Sequence, residues 1–179
     1  MDKESIISKT EEFVKSWAIN NEPGHDYSHI LRVRDLALKI AKEAGYAGYL
    51  VELIALLHDL EDHKLSSKTS IKDFLDTLEI SKEDKEKILY IIPRISFSKY
   101  PLVDDLPLEG KIVADADRLD AIGAIGVARA FSYGGANKRH MYEGNNSTIK
   151  HFEEKLLILD QYLYLDASKK LAKQRMKFI

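Results

Sequence analysis

The 179-residue chain contains no cysteine. Disulfides, thiolate zinc sites and cysteine nucleophiles are thereby excluded. No apolar run reaches the roughly 18 residues that a membrane-spanning helix needs. Residues 1–12 are too charged to hold a signal-peptide core. The net charge of −2 gives no general attraction to a nucleic-acid polymer or an anionic membrane. These features together fit a cytoplasmic protein. There are only four prolines and nine glycines, which leaves long stretches free to be helical. Apolar residues make up 45% of the chain and charged residues 31%, the balance of a folded protein with a core. No repeat and no long linker divides it, so one domain is expected.

The hydrophobic pattern reads as helices throughout. Residues 2–18 place Ile6, Ile7, Phe13, Val14 and Trp17 near one helical face, as a lid or flank. Asn20-Asn21-Glu22-Pro23-Gly24 breaks that pattern. A second helix is expected from Asp26 or Ser28, both good N-caps, to Ala44, with Gly45 as its stop. It places His25, His29 and Arg32 at helical spacing. A third, over residues 48–60, is apolar nearly all round and therefore central. Shorter helices are expected over residues 69–78 and 81–92, the second capped by Ser81. A long one should cover residues 148–163. A basic last helix should follow Asp166.

Two stretches do not fit a plain core. The central helix runs into Leu57-His58-Asp59-Leu60-Glu61-Asp62, and an apolar interior does not accept a charged carboxylate without a partner. Further on, Asp115, Asp117 and Asp120 lie within six residues of an otherwise apolar helix expected to run from Gly110 to Phe131. Gly123 and Gly126 lower its stability by about 1 kcal/mol each relative to alanine. Such glycines mark close helix contacts. A solvated acidic face has little room here. At least one of the three carboxylates should therefore be buried against a cation or a metal.

Collected, His29, His58, Asp59 and Asp117 make a mixed nitrogen and oxygen ligand set on three core helices. Such a set suits Mn, Fe, Co, Ni, Zn or Mg with positions left for water. At this point the chain resembles the HD-domain metal-dependent phosphohydrolases, whose pattern is H…HD…D. More narrowly, it resembles small single-domain HD hydrolases with three motifs. These are HDxxHxxRV (His25 to Val33), a His-Asp segment from His58 to Lys64, and DADRLDAIGAIG (Asp115 to Gly126). The resemblance covers about residues 20–178. It implies an all-α, HD-domain-like helical bundle with a buried metal site. Residues 1–20 would form a flanking helix and residues 21–179 the core and C-terminal helices.

The resemblance also implies hydrolysis of a phosphoester or phosphoanhydride, with some relatives releasing diphosphate from (deoxy)nucleoside triphosphates. His29, His58, Asp59 and Asp117 would hold one divalent ion, with Mn favoured. No histidine lies between Lys64 and Asp117 to support a second ion. Asp62, or Glu61, would orient or deprotonate a metal-bound water. Arg32, Lys64 and Arg118 are candidates to neutralise phosphate, although Arg118 has Asp115 and Asp120 as alternative partners. His25 is a further phosphate or supporting contact, or an exposed helix-start residue. The substrate would be a phosphorylated small molecule, a nucleotide first. Neither a membrane nor a nucleic-acid polymer is expected as partner, and a homo-oligomer is compatible. Two other readings fit part of the pattern. One is a catalytically silent HD-like module that binds nucleotide and signals. The other is a helical protein whose Asp115, Asp117 and Asp120 bind Mg and a prenyl diphosphate.

Overall fold

The computed structural model describes residues 2–18, 27–60 and 70–179. Among them there are nine α-helices and no strand, as the patterning predicts. His25, Glu61, Asp62 and Lys64, all singled out from the sequence, lie outside the described residues.

The centre is built from three helices. α2 (Tyr27–Glu43) buries Ile30, Val33, Ala37 and Ile40 along one stripe. α3 (Tyr49–Leu57) is buried from Leu50 to Leu57 with the single exception of Glu52, as its all-round apolar pattern requires. α6 (Leu108–Asp120) packs against both. α1 (Lys3–Ala18) flanks α3 with Ile6, Val14 and Trp17 inward. On the same helix Phe13 stacks on Phe74 at 3.9 Å, in α4 (Ile71–Asp76). α5 (Lys82–Ile91) is capped by Ser81, whose hydroxyl accepts from the Asp84 amide at 3.0 Å. Gly45 ends α2 at φ +69°, and the Tyr46 amide reaches back to the Ala41 carbonyl at 2.9 Å. Ser28 lies inside α2 rather than capping it.

Three expected helices end early or are interrupted. α3 stops at Leu57, so His58, Asp59 and Leu60 occupy a turn closed by Leu60 N–H to Leu57 O. The single helix expected from Gly110 to Phe131 is two. α6 ends at Asp120, Ile122 is extended, and α7 (Gly123–Ala136) starts afresh with Gly123 at φ +79°. Only glycine takes that angle without strain. Gly123 therefore marks a break between helices and Gly126 a close contact. The helix expected over residues 148–163 is α8 (Thr148–Glu154), capped by Ser147, followed by a 3₁₀ stretch, Leu156–Tyr162. Leu156, Leu159 and Leu163 still face the core.

Asp115 shows why the last helix stands where it does. Its buried carboxylate accepts from the Tyr164 and Leu165 amides at 2.9 Å each, immediately ahead of α9 (Asp166–Arg175). Asp166 is the first residue of α9 rather than its cap.

The turn between α6 and α7 is tight enough to test. A Cβ on Gly126 would lie 2.2 Å from the Ala121 carbonyl oxygen, whereas one on Gly135 meets nothing within 4 Å. Gly126→Ala should lose about 1–3 kcal/mol of stability. Gly135→Ala, in the same helix, should gain about 0.5–1 kcal/mol. Denaturant unfolding of the two variants checks this; equal shifts of the same sign would refute the tight turn.

Candidate metal centre and its cavity

Three segments distant in sequence bring four side chains together. His29 comes from the first turns of α2, His58 and Asp59 from the turn after α3, and Asp117 from α6. His29 Nε2 lies 3.3 Å from Asp59 Oδ2 and 3.5 Å from Asp117 Oδ1. His58 Nε2 lies 3.4 Å from Asp59 Oδ1 and 3.9 Å from Asp117 Oδ1. The rings of His29 and His58 meet edge to face at 5.4 Å. His29, His58 and Asp59 are buried, with one ligand atom of each within 4.8 Å of the others.

The hydrogen bonds on the far side of each ring decide what the near side offers. His58 Nδ1–H donates to the Ala55 carbonyl at 2.7 Å. His58 Nε2, buried and without a hydrogen-bond partner among the described residues, therefore carries a lone pair into the cluster. His29 Nδ1–H donates to Asp120 Oδ2 at 2.8 Å, which likewise turns its Nε2 toward Asp59 and Asp117. A metal-ligating histidine is held in this way, with its second nitrogen bound to a carbonyl or carboxylate. The electrostatics show how strongly this space favours a positive charge. Burial opposes a charge on His29, but Asp117, Asp120 and Asp59 outweigh it and raise its pKa well above the usual imidazole range. Burial likewise opposes the Asp117 carboxylate, yet His29 and His58 hold its pKa below the usual range. Two imidazoles and two carboxylates concentrated in a buried space fit a divalent cation.

Asp120 is the support that the sequence left unassigned. Besides His29, it accepts from Arg32 through Nε at 2.8 Å and NH2 at 3.1 Å, and from Arg129 NH1 at 2.8 Å. Burial works against this carboxylate, but His29 and the arginines drive its pKa far below the usual range. Arg32, a phosphate candidate by sequence, thus spends its fork on Asp120. Arg118, the other phosphate candidate, finds its alternative partner Asp115 and also lines the cavity beside the cluster. It is buried, donates through NH1 to the Tyr162 carbonyl at 2.9 Å and lies 3.8 Å from Asp115. On a helix it points away from its neighbour Asp117. The prenyl-diphosphate reading fails for the same reason. Asp115 serves backbone amides and Asp120 serves arginines, so the three aspartates do not face one ligand.

The cluster opens into a cavity of about 410 Å³, within the range of small-molecule sites. Its wall includes Asp117, whose side chain is 29% exposed against 1% for His29 and 2% for His58. Asp117 is therefore the ligand candidate on the open side. Lys99, Arg129, Arg139, His151 and Lys155 bring basic groups to the same wall, and Ile92, Pro93, Phe97, Leu156 and Leu159 an apolar part. None of these basic groups was singled out from the sequence. Arg129 and His151 were missed because helical patterning assigns α7 and α8 to the core or the surface.

An all-α bundle with a buried His-His-Asp cluster beneath an open cavity defines a helical metal-binding domain. The model of the HD domain matches residues 26–122, and the chain belongs to that family, within the HD-domain phosphohydrolase superfamily. YpgQ of Bacillus subtilis (strain 168) is 38% identical over 174 residues, spanning 93% of this chain and 85% of its own length. The crystal structure of Bacillus subtilis YpgQ in complex with ADP matches with a TM-score of 0.86 at 37% identity, covering 99% of this chain and 91% of that one. The crystal structure of an HD-superfamily hydrolase from Bacillus thuringiensis matches with a TM-score of 0.79 at 37% identity, covering 99% and 92%.

If the four side chains share one ion, purified protein should carry close to one equivalent of divalent metal. His58→Ala and Asp59→Ala should abolish it. Asp120→Asn should weaken it by about 10–100-fold, the usual effect of losing a ligand's support. Metal analysis and a binding titration decide this, and full metal content in the His58 and Asp59 variants would defeat the ligand set.

Proposed function

We propose that the protein is a metal-dependent phosphohydrolase acting on a phosphoanhydride or phosphoester, with a nucleoside triphosphate as first candidate substrate and diphosphate as product. The observation that carries this reading is the adjacency of two opposite environments. A buried cluster built for a cation opens, on its Asp117 side, into a cavity walled by basic groups. A phosphate chain is the ligand that satisfies both at once. The similarity to YpgQ, which has been crystallised with ADP, supports a nucleotide.

His29, His58, Asp59 and Asp117 would hold one divalent ion, Mn favoured. When bound, such an ion lowers the pKa of its water and polarises a phosphoryl oxygen. The chain's own residues do the rest. Asp120 and the Ala55 carbonyl keep both imidazoles in the ligating tautomer. Lys99, Arg139 and Lys155 draw the phosphate chain into the cavity, with Lys64 and His25 as further candidates. Ile92, Pro93 and Phe97 exclude water from one side of it. Asp62, or Glu61, takes the proton of the attacking water. The full ligand set favours this enzyme over a silent nucleotide-binding module, since a module without chemistry has no need to keep four ligands and their supports.

The test is a release assay over ribo- and deoxyribonucleoside mono-, di- and triphosphates with added Mn or Co. Diphosphate should appear from one or more triphosphates, and Asp62→Asn should cut the rate by about 10²–10⁴-fold if Asp62 is the base. Nucleotide binding with no phosphate or diphosphate released from any member would favour the module.

A further inference from the structure

One partner of Asp120 also faces the cavity. Arg129, on α7, donates through NH1 to Asp120 Oδ2 at 2.8 Å. That oxygen is the one that accepts from His29 Nδ1. The Arg129 side chain is 24% exposed and lines the cavity together with His29 and Asp117. Arg32 holds the same carboxylate from α2 but does not line the cavity. One guanidinium thus touches both the support of a metal-facing imidazole and the space an anion would enter.

We propose that Arg129 is a positioning residue that couples the two ends of the site: through Asp120 it steadies His29 on the metal, and from its cavity side it attracts the phosphate of the substrate. The proposal rests on the metal-dependent hydrolase reading above. The physical argument has two parts. The Asp120 side chain is 4% exposed, and a desolvated carboxylate keeps its charge and its place only through its donors. Loss of Arg129 therefore loosens Oδ2, and the His29 ring with it. A guanidinium also presents several N–H groups in a fixed plane, so it can serve a carboxylate and a phosphate together, which a lysine ammonium does less well.

The experiment compares wild type, Arg129→Ala, Arg129→Lys and Arg32→Ala by calorimetric titration. Mn²⁺ is titrated first, then inorganic diphosphate into the Mn²⁺-loaded protein. Arg129→Ala should weaken Mn²⁺ binding by roughly tenfold and diphosphate binding by a further tenfold or so. Arg32→Ala should weaken Mn²⁺ binding only. Arg129→Lys should fail to restore both affinities, and it carries the test alone if the alanine variant does not fold. Wild-type affinity for both probes in an Arg129 variant overturns the proposal. So does a loss confined to diphosphate, which would make Arg129 a phosphate contact alone, or one confined to Mn²⁺, which would make it a structural brace. Failure of the wild type to bind Mn²⁺ strikes the hydrolase reading instead, and the two failures are thereby distinct.

Discussion

The bond from His29 Nδ1 to Asp120 Oδ2 is the constraint on which the rest of the site depends. An imidazole has two nitrogens, and only one can face a cation with its lone pair. By accepting at Nδ1, Asp120 assigns that role to Nε2, the atom already 3.3–3.5 Å from Asp59 and Asp117. A buried carboxylate left alone would take a proton and lose this ability. Arg32 and Arg129 prevent that, and they come from helices on either side, α2 and α7. The break at Ile122-Gly123 starts α7 beside the end of α6 and so brings Arg129 to Asp120. Backbone geometry at a glycine and ligand chemistry at a histidine are thus consequences of one arrangement.

The C-terminal end of α6 gathers more positive charge than Asp120 alone would ask for. Arg175, from α9, donates to the Leu119 carbonyl. A helix C-terminus carries unsatisfied carbonyls and a partial negative charge, and cations there are favourable. Arg175 therefore answers the backbone while Arg32 and Arg129 answer the side chain. One turn earlier, Asp115 holds the Tyr164 and Leu165 amides, so α9 is fixed at both ends of this segment. α6 carries the ligand candidate Asp117 between two anchors that face other directions. This separates the three aspartates, which look equivalent in sequence, into an anchor, a ligand candidate and a support.

The helices were legible because their period and caps are local properties. Gly45 and Ser81 stop and start helices where the sequence places them. The all-round apolar run of residues 50–57 could only be central. The convergence of His29, His58, Asp59 and Asp117 was legible from residue type and motif order. The breaks were not. Nothing in Ala121-Ile122-Gly123 alone says that Gly123 takes a positive φ rather than continuing a helix with a modest penalty. The role of Arg118 was ambiguous because a guanidinium serves a phosphate or a carbonyl equally well, and in the fold it donates to the Tyr162 carbonyl while lining the cavity. Arg129 was invisible for a similar reason. It lies nine residues past its partner, on a different helix, where no helical periodicity relates the two.

The distribution of labour along the chain has a functional consequence. Every cation-facing group comes from α2, the turn after α3, or α6, the helices with the most buried core. The basic cavity wall comes from the loop after α5, from α7, and from the segment around α8, where more of the chain is exposed. Buried groups are held by many neighbours, and altering one disturbs the rest. Groups on exposed elements change at low cost in stability. A site divided in this way can keep its buried cluster constant while the outer wall varies. Arg129 is the point where the division is bridged, because its guanidinium belongs to the wall and its hydrogen bond belongs to the core.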